Sequence, residues 1–478
     1  MSGSRQGLPW APPAGERTRM SKRYFIHTFG CQMNVNDTLR MSEALAKSGY
    51  SVTPDYERAD LIVLNTCAIR EKAEDKMHSA LGRYRQVKLQ RGAVIGVGGC
   101  VAQQEKAKLL ERSPWVDFVF GPDAIGNLPE ILERVAKDRV RVVDTAWVDS
   151  EEYVFPRADP ETSRGKVTEF VTIMKGCDNV CAFCVVPHTR GREVSRPFVE
   201  VLSEVAELTK VGVREVTLIG QNVNSYRGGI SFAEVLLRTC EVPGIERVRF
   251  TTSHPHDLSD ELIEAFRVQP KIAPHFHLPV QSGSDPVLKR MRRDYTVAEY
   301  LERLAKLRAA RPDIAVTTDI IVGFPGETEE DFVRTLELTE KVRYDGQFSF
   351  VYSARPKTAA LLKENEWGVV PHEVKVERLE RLQAAQKRIS SELNAQNVGR
   401  TVEVLVEGRS KTDETRRFGR TPQNRTVNFD GDAPVGAIVE VLVERASASS
   451  LGGKQGRTVS APPIEIPEKA VEAELCVA

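Results

Sequence analysis

The sequence predicts an α/β protein of three units: an open parallel-sheet domain at the amino terminus, a central incomplete barrel of strands and helices, and a small antiparallel β-barrel near the end. Three observations carry this. Apolar, β-branched runs alternate with helical stretches twice over, across residues 23–100 and again across 166–365. The second block holds six strand-helix repeats, too few to close an eight-stranded barrel. Two late segments, "GRTVEVLVEG" (399–408) and "GAIVEVLVERA" (436–446), instead alternate apolar and polar residues with the period of antiparallel strands.

Composition bounds the rest. The chain of 478 residues is long enough for about three domains. Its 67 Lys plus Arg cancel its 67 Asp plus Glu, so a nucleic-acid partner would have to be met by local basic patches. Eight cysteines without a signal-peptide core point to the reducing cytoplasm, where clustered thiols serve metals or catalysis. No apolar run approaches the roughly 18–20 residues of a membrane span. Residues 1–22 and 447–478 lack periodicity and are expected to be disordered tails, with Met20 able to serve as the start.

In the first block, "RYFIHTFG" (23–30), "DLIVLNTC" (60–67) and "AVIGVGGC" (93–100) read as strands, with helices expected near 37–48 and 71–90. Cysteines end or follow all three runs: Cys31, Cys67 and Cys100. Each alone would read as a small buried hydrophobe. Three at one topological position are different, because ligands of an open parallel sheet gather beyond the carboxyl ends of its strands. The trio therefore forms a candidate three-thiolate cluster site. Cys240 reads as core and Cys476 as tail.

The second block opens with "VTIMKGCDNVCAFCVVPHTRGREVSR" (171–196), which places Cys177, Cys181 and Cys184 just after a strand. A cubane iron-sulfur cluster takes one thiolate per iron, so three cysteines leave one iron open to a non-protein ligand. From spacing alone, a zinc site completed by His188 also fits.

Other motifs are weaker. "TDIIVGFPGETEEDF" (318–332) has the glycines of a phosphate cradle between strand and helix, without the GK[ST] of a P-loop. "HPH" (254–256) and "HFH" (275–277), with no cysteine nearby, read as structural rather than metal-binding. "LKRMRRD" (288–294), with four basic residues in seven, is a solvated face or part of a nucleic-acid path. "GRSKTDETRRFGRTPQNRTVN" (408–428), six basic against two acidic residues around Phe418, favours RNA contact.

With these residues in hand, the chain resembles the methylthiotransferases of the radical S-adenosylmethionine (SAM) superfamily over residues 23–446. The spacing C-x3-C-x2-C resembles that superfamily's signature, and the late β module resembles a TRAM domain. "TFGCQMN" (28–34), "NTCAIREKA" (65–73), "GQNVNSY" (220–226) and "GRTPQNRTVNF" (419–429) are similar to the family's dimethylallyladenosine branch. The ribosomal-protein aspartate branch would show "LGCPKN" and a Gln-Asp in place of Gln221-Asn222, and the threonylcarbamoyladenosine branch "LGCKVN". The one departure is "TPQNR", where the dimethylallyladenosine branch more often has "TENNR".

The resemblance implies a tail (1–22), a methylthiotransferase domain (23–145), a partial (β/α)6 radical-SAM core (163–394), a TRAM barrel (395–446) and a second tail (447–478). It implies two [4Fe-4S] clusters, one held by Cys31, Cys67 and Cys100 and one, which binds SAM, by Cys177, Cys181 and Cys184. The implied reaction adds a methylthio group to C2 of N6-isopentenyladenosine at position 37 of tRNA, with one SAM as methyl donor and one as radical source. Methylthiolation of a ribosomal-protein aspartate or of threonylcarbamoyladenosine is the alternative. The implied partners are the tRNA anticodon loop and a low-potential donor such as flavodoxin or ferredoxin, acting on a cytoplasmic monomer.

Overall fold

The computed structural model describes residues 22–68, 71–411 and 413–462. Met20, Cys476, all but the last residue of the first expected tail and half of the second lie outside the described residues. The amino-terminal sheet contains β1 (Arg23–Thr28), β2 (Ser51–Val52), β3 (Leu61–Thr66), β4 (Val94–Gly99), β5 (Phe118–Phe120) and β6 (Val142–Asp144), all parallel, in the order β2-β1-β3-β4-β5-β6. Sequence reading finds β1, β3 and β4. The other three have two or three residues each, too short to show a period.

Both sheet faces are covered, which is why the long strands read as continuous apolar runs rather than alternating ones. Ile62, Leu64, Ile95 and Val97 pack on Met77, Leu81 and Tyr84 of the helix Glu71–Arg91. Leu61, Val63, Phe118 and Phe120 pack on Met41, Leu45 and Ile131 from the opposite side. Each such fully buried side chain contributes about 1.5–3 kcal/mol relative to exposure. Because β2 lies outside β1 while the chain continues at β3, the strand order reverses between β1 and β3. A ligand crevice opens at such a reversal.

The central unit holds six parallel strands: β7 (Thr168–Thr172), β10 (Glu215–Ile219), β11 (Arg247–Phe250), β12 (His275–His277), β13 (Ala315–Val322) and β14 (Gly346–Val351). A short hairpin of β8 (Met174–Lys175) and β9 (Val194–Ser195) interrupts them. They form two three-stranded sheets, β11-β10-β7 and β12-β13-β14, linked by a parallel bridge between Val248 and Ile272. One apolar core spans both halves, from Val171, Val216 and Val248 to Phe276, Val316 and Ile320. The arc is the expected six-stranded incomplete barrel.

After the helix His372–Ala395, β15 (Thr401–Ser410), β16 (Asp413–Arg420), β17 (Thr426–Asp430), β18 (Ile438–Ala446) and β19 (Leu451–Ser460) close a barrel in the order β15-β16-β17-β19-β18. Two expectations are corrected here. Residues 451–460 are not part of a tail, since β19 pairs with both β17 and β18 and completes the ring. Nor is the module wholly antiparallel, because β17 and β19 run parallel. The three glycines of "LGGKQGRTVS" and its lack of alternation hide a strand that tertiary pairing imposes.

This barrel docks at the amino-terminal ends of the central strands. Arg249 of β11 donates to the carbonyls of Thr421 (2.9 Å) and Pro422 (2.8 Å), and Arg214, just before β10, donates to that of Gly436 at 2.6 Å. Arg425 pairs with Asp345, just before β14, and donates to Asn394 Oδ1 at 2.7 Å. Counting charge along 408–428 treats that run as one RNA-facing patch. The structure divides it: the 420–425 turn and Arg425 are committed to the docking interface, and Arg416 pairs with Asp430 at 2.8 Å.

Truncation after Ala446 removes β19 and leaves β17 and β18 without their shared neighbour. The expected result is a lower thermal midpoint and loss of the barrel's strand signal in circular dichroism; an unchanged melt would show the ring closes without it.

Candidate functional site

Cys31 follows β1, Cys67 follows β3, and Cys100 opens the short helix Cys100–Glu105 directly after β4. Parallel pairing of β1 with β3 and of β3 with β4 therefore brings the three turns side by side at one sheet edge. Two glycines permit the approach. Gly30 has φ +129°, and a Cβ there would lie 2.4 Å from Cys67 Cβ; Gly99 has φ +90°, and a Cβ there would lie 2.5 Å from the Thr66 carbonyl.

A buried amide network fixes the same turns. Asn34 Nδ2 donates to Asn65 Oδ1 and to the Thr66 carbonyl, both at 3.1 Å, while Asn65 Nδ2 donates to the Asn34 carbonyl at 2.7 Å and to Thr38 Oγ1 at 2.9 Å. Asn34 Oδ1 in turn accepts from the Cys31 sulfur at 3.4 Å. Both amides stand inside the quoted motifs "TFGCQMN" and "NTCAIREKA", where attention to the cysteines alone passes over them.

The second set lies beyond the carboxyl end of β7, in the loop after β8. Cys177 N donates to the Gly191 carbonyl (3.2 Å), Cys184 N to that of Cys181 (3.1 Å), and Ala182 N to that of Met291 (2.8 Å). Arg293 is buried here and donates to Cys181 Sγ (3.4 Å), the Pro279 carbonyl (2.8 Å) and Tyr295 Oη (3.0 Å). The run "LKRMRRD" is thus not one uniform face. Lys289 and Arg292 are exposed, Arg290 donates to the Gly326 carbonyl at 2.9 Å, and Arg293 sits on a candidate ligand.

The two sets share one seam. The short helix Val186–Thr189, which follows Cys184, packs on the helix Cys100–Glu105, and Val185 is buried in the same apolar cluster as Cys67 and Cys100. Arg190 then reaches across: its Nε lies 3.3 Å from Cys100 Sγ and its Nη2 2.5 Å from Asp37 Oδ2. A second cross-domain pair, Lys175 Nζ to Asp123 Oδ2 at 2.7 Å, lies beside it, with Lys175 also stacked 3.6 Å over the Tyr153 ring.

Burial pushes the Cys177 thiol up to about 11, that of Cys184 to about 12, and that of Cys100 upward despite Arg190. The hydrogen bond with Cys67 does the opposite to Cys31, holding it near about 6 with help from Asn34 and Arg190. A metal offsets the cost of ionising a buried thiol, so these donors fit iron-sulfur clusters, and the two buried guanidiniums fit the clusters' negative charge. His188, the fourth ligand of the zinc alternative, is exposed. Among the described residues, no three of His, Cys, Asp and Glu meet around a single ion.

The remaining motifs resolve differently. The backbone N–H of Gly323, in the candidate phosphate cradle, is taken at 2.6 Å by Glu327, itself paired with Arg378. His254 caps a short turn, accepting from His256 N. Both His motifs meet a carboxylate: Asp257 Oδ1 lies 3.1 Å from His256 Nδ1, and Asp319, supplied by the neighbouring strand, lies 3.4 Å from His277 Nε2. Cys240 is buried in the central core.

Residues 23–121 match the Uncharacterized protein family UPF0004, residues 171–339 the Radical SAM superfamily, and residues 395–454 the TRAM domain. The chain is 74% identical to the tRNA-2-methylthio-N(6)-dimethylallyladenosine synthase of Myxococcus xanthus, over 95% of this chain and 98% of that one. It is 62% identical to the enzyme of the same name from Anaeromyxobacter sp. strain K, over 94% and 98%. In fold it is similar to the radical SAM methyltransferase TsrM from Kitasatospora setae, with a TM-score of 0.53 at 16% identity over 72% of this chain and 76% of that one.

Two outcomes follow from the geometry. In metal-free protein at pH 7, iodoacetamide should label Cys31 before Cys177 and Cys184, because only thiolate reacts. Cys31 labelling should slow as pH falls from 7 to 5 through its value of about 6, read by peptide mass spectrometry. Separately, Asn65→Ala should cost about 1–3 kcal/mol in urea unfolding, since it strands buried partners.

Proposed function

This chain belongs to the tRNA-2-methylthio-N(6)-dimethylallyladenosine synthases of the radical-SAM methylthiotransferases, and from that premise we propose how its residues carry the reaction. The enzyme attaches a methylthio group to C2 of the dimethylallylated adenine in tRNA, using SAM and [4Fe-4S] clusters. What supports the residue-level reading is the shared seam: Val185, next to Cys184, is buried with Cys67 and Cys100, and Arg190 of the barrel unit reaches the Cys100 sulfur. Neither alternative branch of the family is favoured.

Adenine C2–H has neither useful acidity nor a leaving group, so no arrangement of side-chain acids and bases can activate it. When bound, the clusters and SAM supply what side chains lack: a hydrogen-abstracting radical and a sulfur to be methylated. Cys177, Cys181 and Cys184 would hold the cluster that binds SAM, and Cys31, Cys67 and Cys100 the other. Arg293 holds the Cys181 sulfur in place through its own bonds to Pro279 and Tyr295. Val185 and the apolar residues around it exclude water beside Cys67 and Cys100. A base presented from a single-stranded loop reaches such a seam without the cost of opening a duplex.

SAM cleavage consumes an electron from outside the chain, which calls for a low-potential donor of the flavodoxin or ferredoxin kind. The working boundaries are 23–145 for the sheet domain, 163–394 for the core, and 395 to at least 460 for the TRAM barrel. No helix among the described residues is long and apolar enough to cross a membrane; a tRNA substrate is in keeping with a cytoplasmic reaction.

The test is nucleoside mass spectrometry of dimethylallylated tRNA after incubation with reconstituted protein, SAM and reductant. The 2-methylthio product should appear, whereas product only from threonylcarbamoylated tRNA or from a ribosomal protein would contradict the reading. Changing Cys31, Cys67 and Cys100 together to Ala should leave about half the iron and retain SAM cleavage while abolishing methylthiolation. Unchanged iron content in that variant would place the second cluster elsewhere.

A further inference from the structure

Arg190 lies six residues beyond Cys184, in the barrel unit, yet its guanidinium is buried within the other domain's cysteine site. Its Nε donates to Cys100 Sγ at 3.3 Å, and its two Nη atoms grip the Asp37 carboxylate at 2.5 and 3.3 Å. The side chains are only 8% and 6% exposed, so their charges act through a poorly screening medium. Nothing in holding a thiol requires an arginine from across a domain boundary. Nor does docking alone require it, since Lys175–Asp123 already provides a buried ionic clasp at the same seam.

We propose that Arg190 is a positioning residue that tunes the amino-terminal cluster: by donating to the Cys100 sulfur it favours the reduced cluster, with Asp37 opposing it, so the potential is set by docking of barrel and sheet. The inference rests on the reading that Cys31, Cys67 and Cys100 ligate a cluster. Reduction adds one electron, taken from a low-potential donor, to a centre already carrying negative thiolates, and breaks no bond. A cation bonded to a ligand sulfur stabilises the more negative state and raises the potential; a nearby carboxylate lowers it. Arg293 on Cys181 Sγ places a similar donor at the other trio, there supplied from within the same domain.

The two members of the pair should therefore move the potential in opposite directions, which no purely structural role would do. The experiment uses full-length protein with Cys177, Cys181 and Cys184 changed to Ala, so that only the amino-terminal cluster is read, titrated with dithionite and followed by electron paramagnetic resonance. In that background Arg190→Gln should lower the midpoint potential, Asp37→Asn should raise it, and Arg190→Lys should fall closer to the parent than Arg190→Gln does. The double variant Arg190→Gln/Asp37→Asn, which leaves no unpaired charge, should return toward the parent and provides the reading if a single variant fails to fold. Shifts of the same sign in both single variants, or a double variant displaced further than either, would overturn the proposal while leaving the cluster assignment standing. Absence of any cluster in the parent background would overturn both.

Discussion

Two ionic contacts across one seam govern the geometry of this molecule. Arg190–Asp37 and Lys175–Asp123 each join the barrel unit to the amino-terminal sheet, and all four side chains are less than a tenth exposed. Buried pairs of this kind add little net stability over apolar packing, yet removing one partner typically costs about 3–5 kcal/mol because the other charge is left uncompensated. Their effect is orientation. Lys175 and Arg190 bracket the Cys177–Cys184 loop in sequence, so the two pairs fix both ends of that loop against the domain that carries Cys31, Cys67 and Cys100.

The two ends of the central barrel consequently do different work. Its carboxyl end meets the sheet domain and the thiols, while its amino end is closed by the C-terminal β-barrel through Arg214, Arg249 and Arg425. An RNA that touches both the thiol seam and the β-barrel must therefore run along the flank of the central unit. The division also explains the basic run of 408–428, where some cations are used to dock the module rather than to face solvent.

Much of this was legible in the sequence, for definable reasons. Cys31, Cys67 and Cys100 could be placed together because long buried strands announce themselves as apolar runs, and parallel topology puts their ends at one edge. The Cys177 loop was legible as a metal site from spacing, and as an iron-sulfur site from the family resemblance. Strands β2, β5 and β6 were not, being too short for a period, nor was β19, whose glycines carry no strand signal. Arg190, Arg293, Asp37, Asn34 and Asn65 escaped because their roles depend on distant partners: Arg190 meets Asp37 across 153 positions and Arg293 meets Cys181 across 112. Periodicity and local spacing report neighbours in sequence, and these residues act on neighbours in space.

The central claim is that one seam holds two clusters, one per cysteine trio. Anomalous diffraction at the iron edge from anaerobic crystals of reconstituted protein tests it most directly. The account requires two four-iron peaks, one against Cys31, Cys67 and Cys100 and the other against Cys177, Cys181 and Cys184, with Arg190 between the domains that carry them. A single peak in fully loaded protein, or a second peak away from the seam, would contradict it.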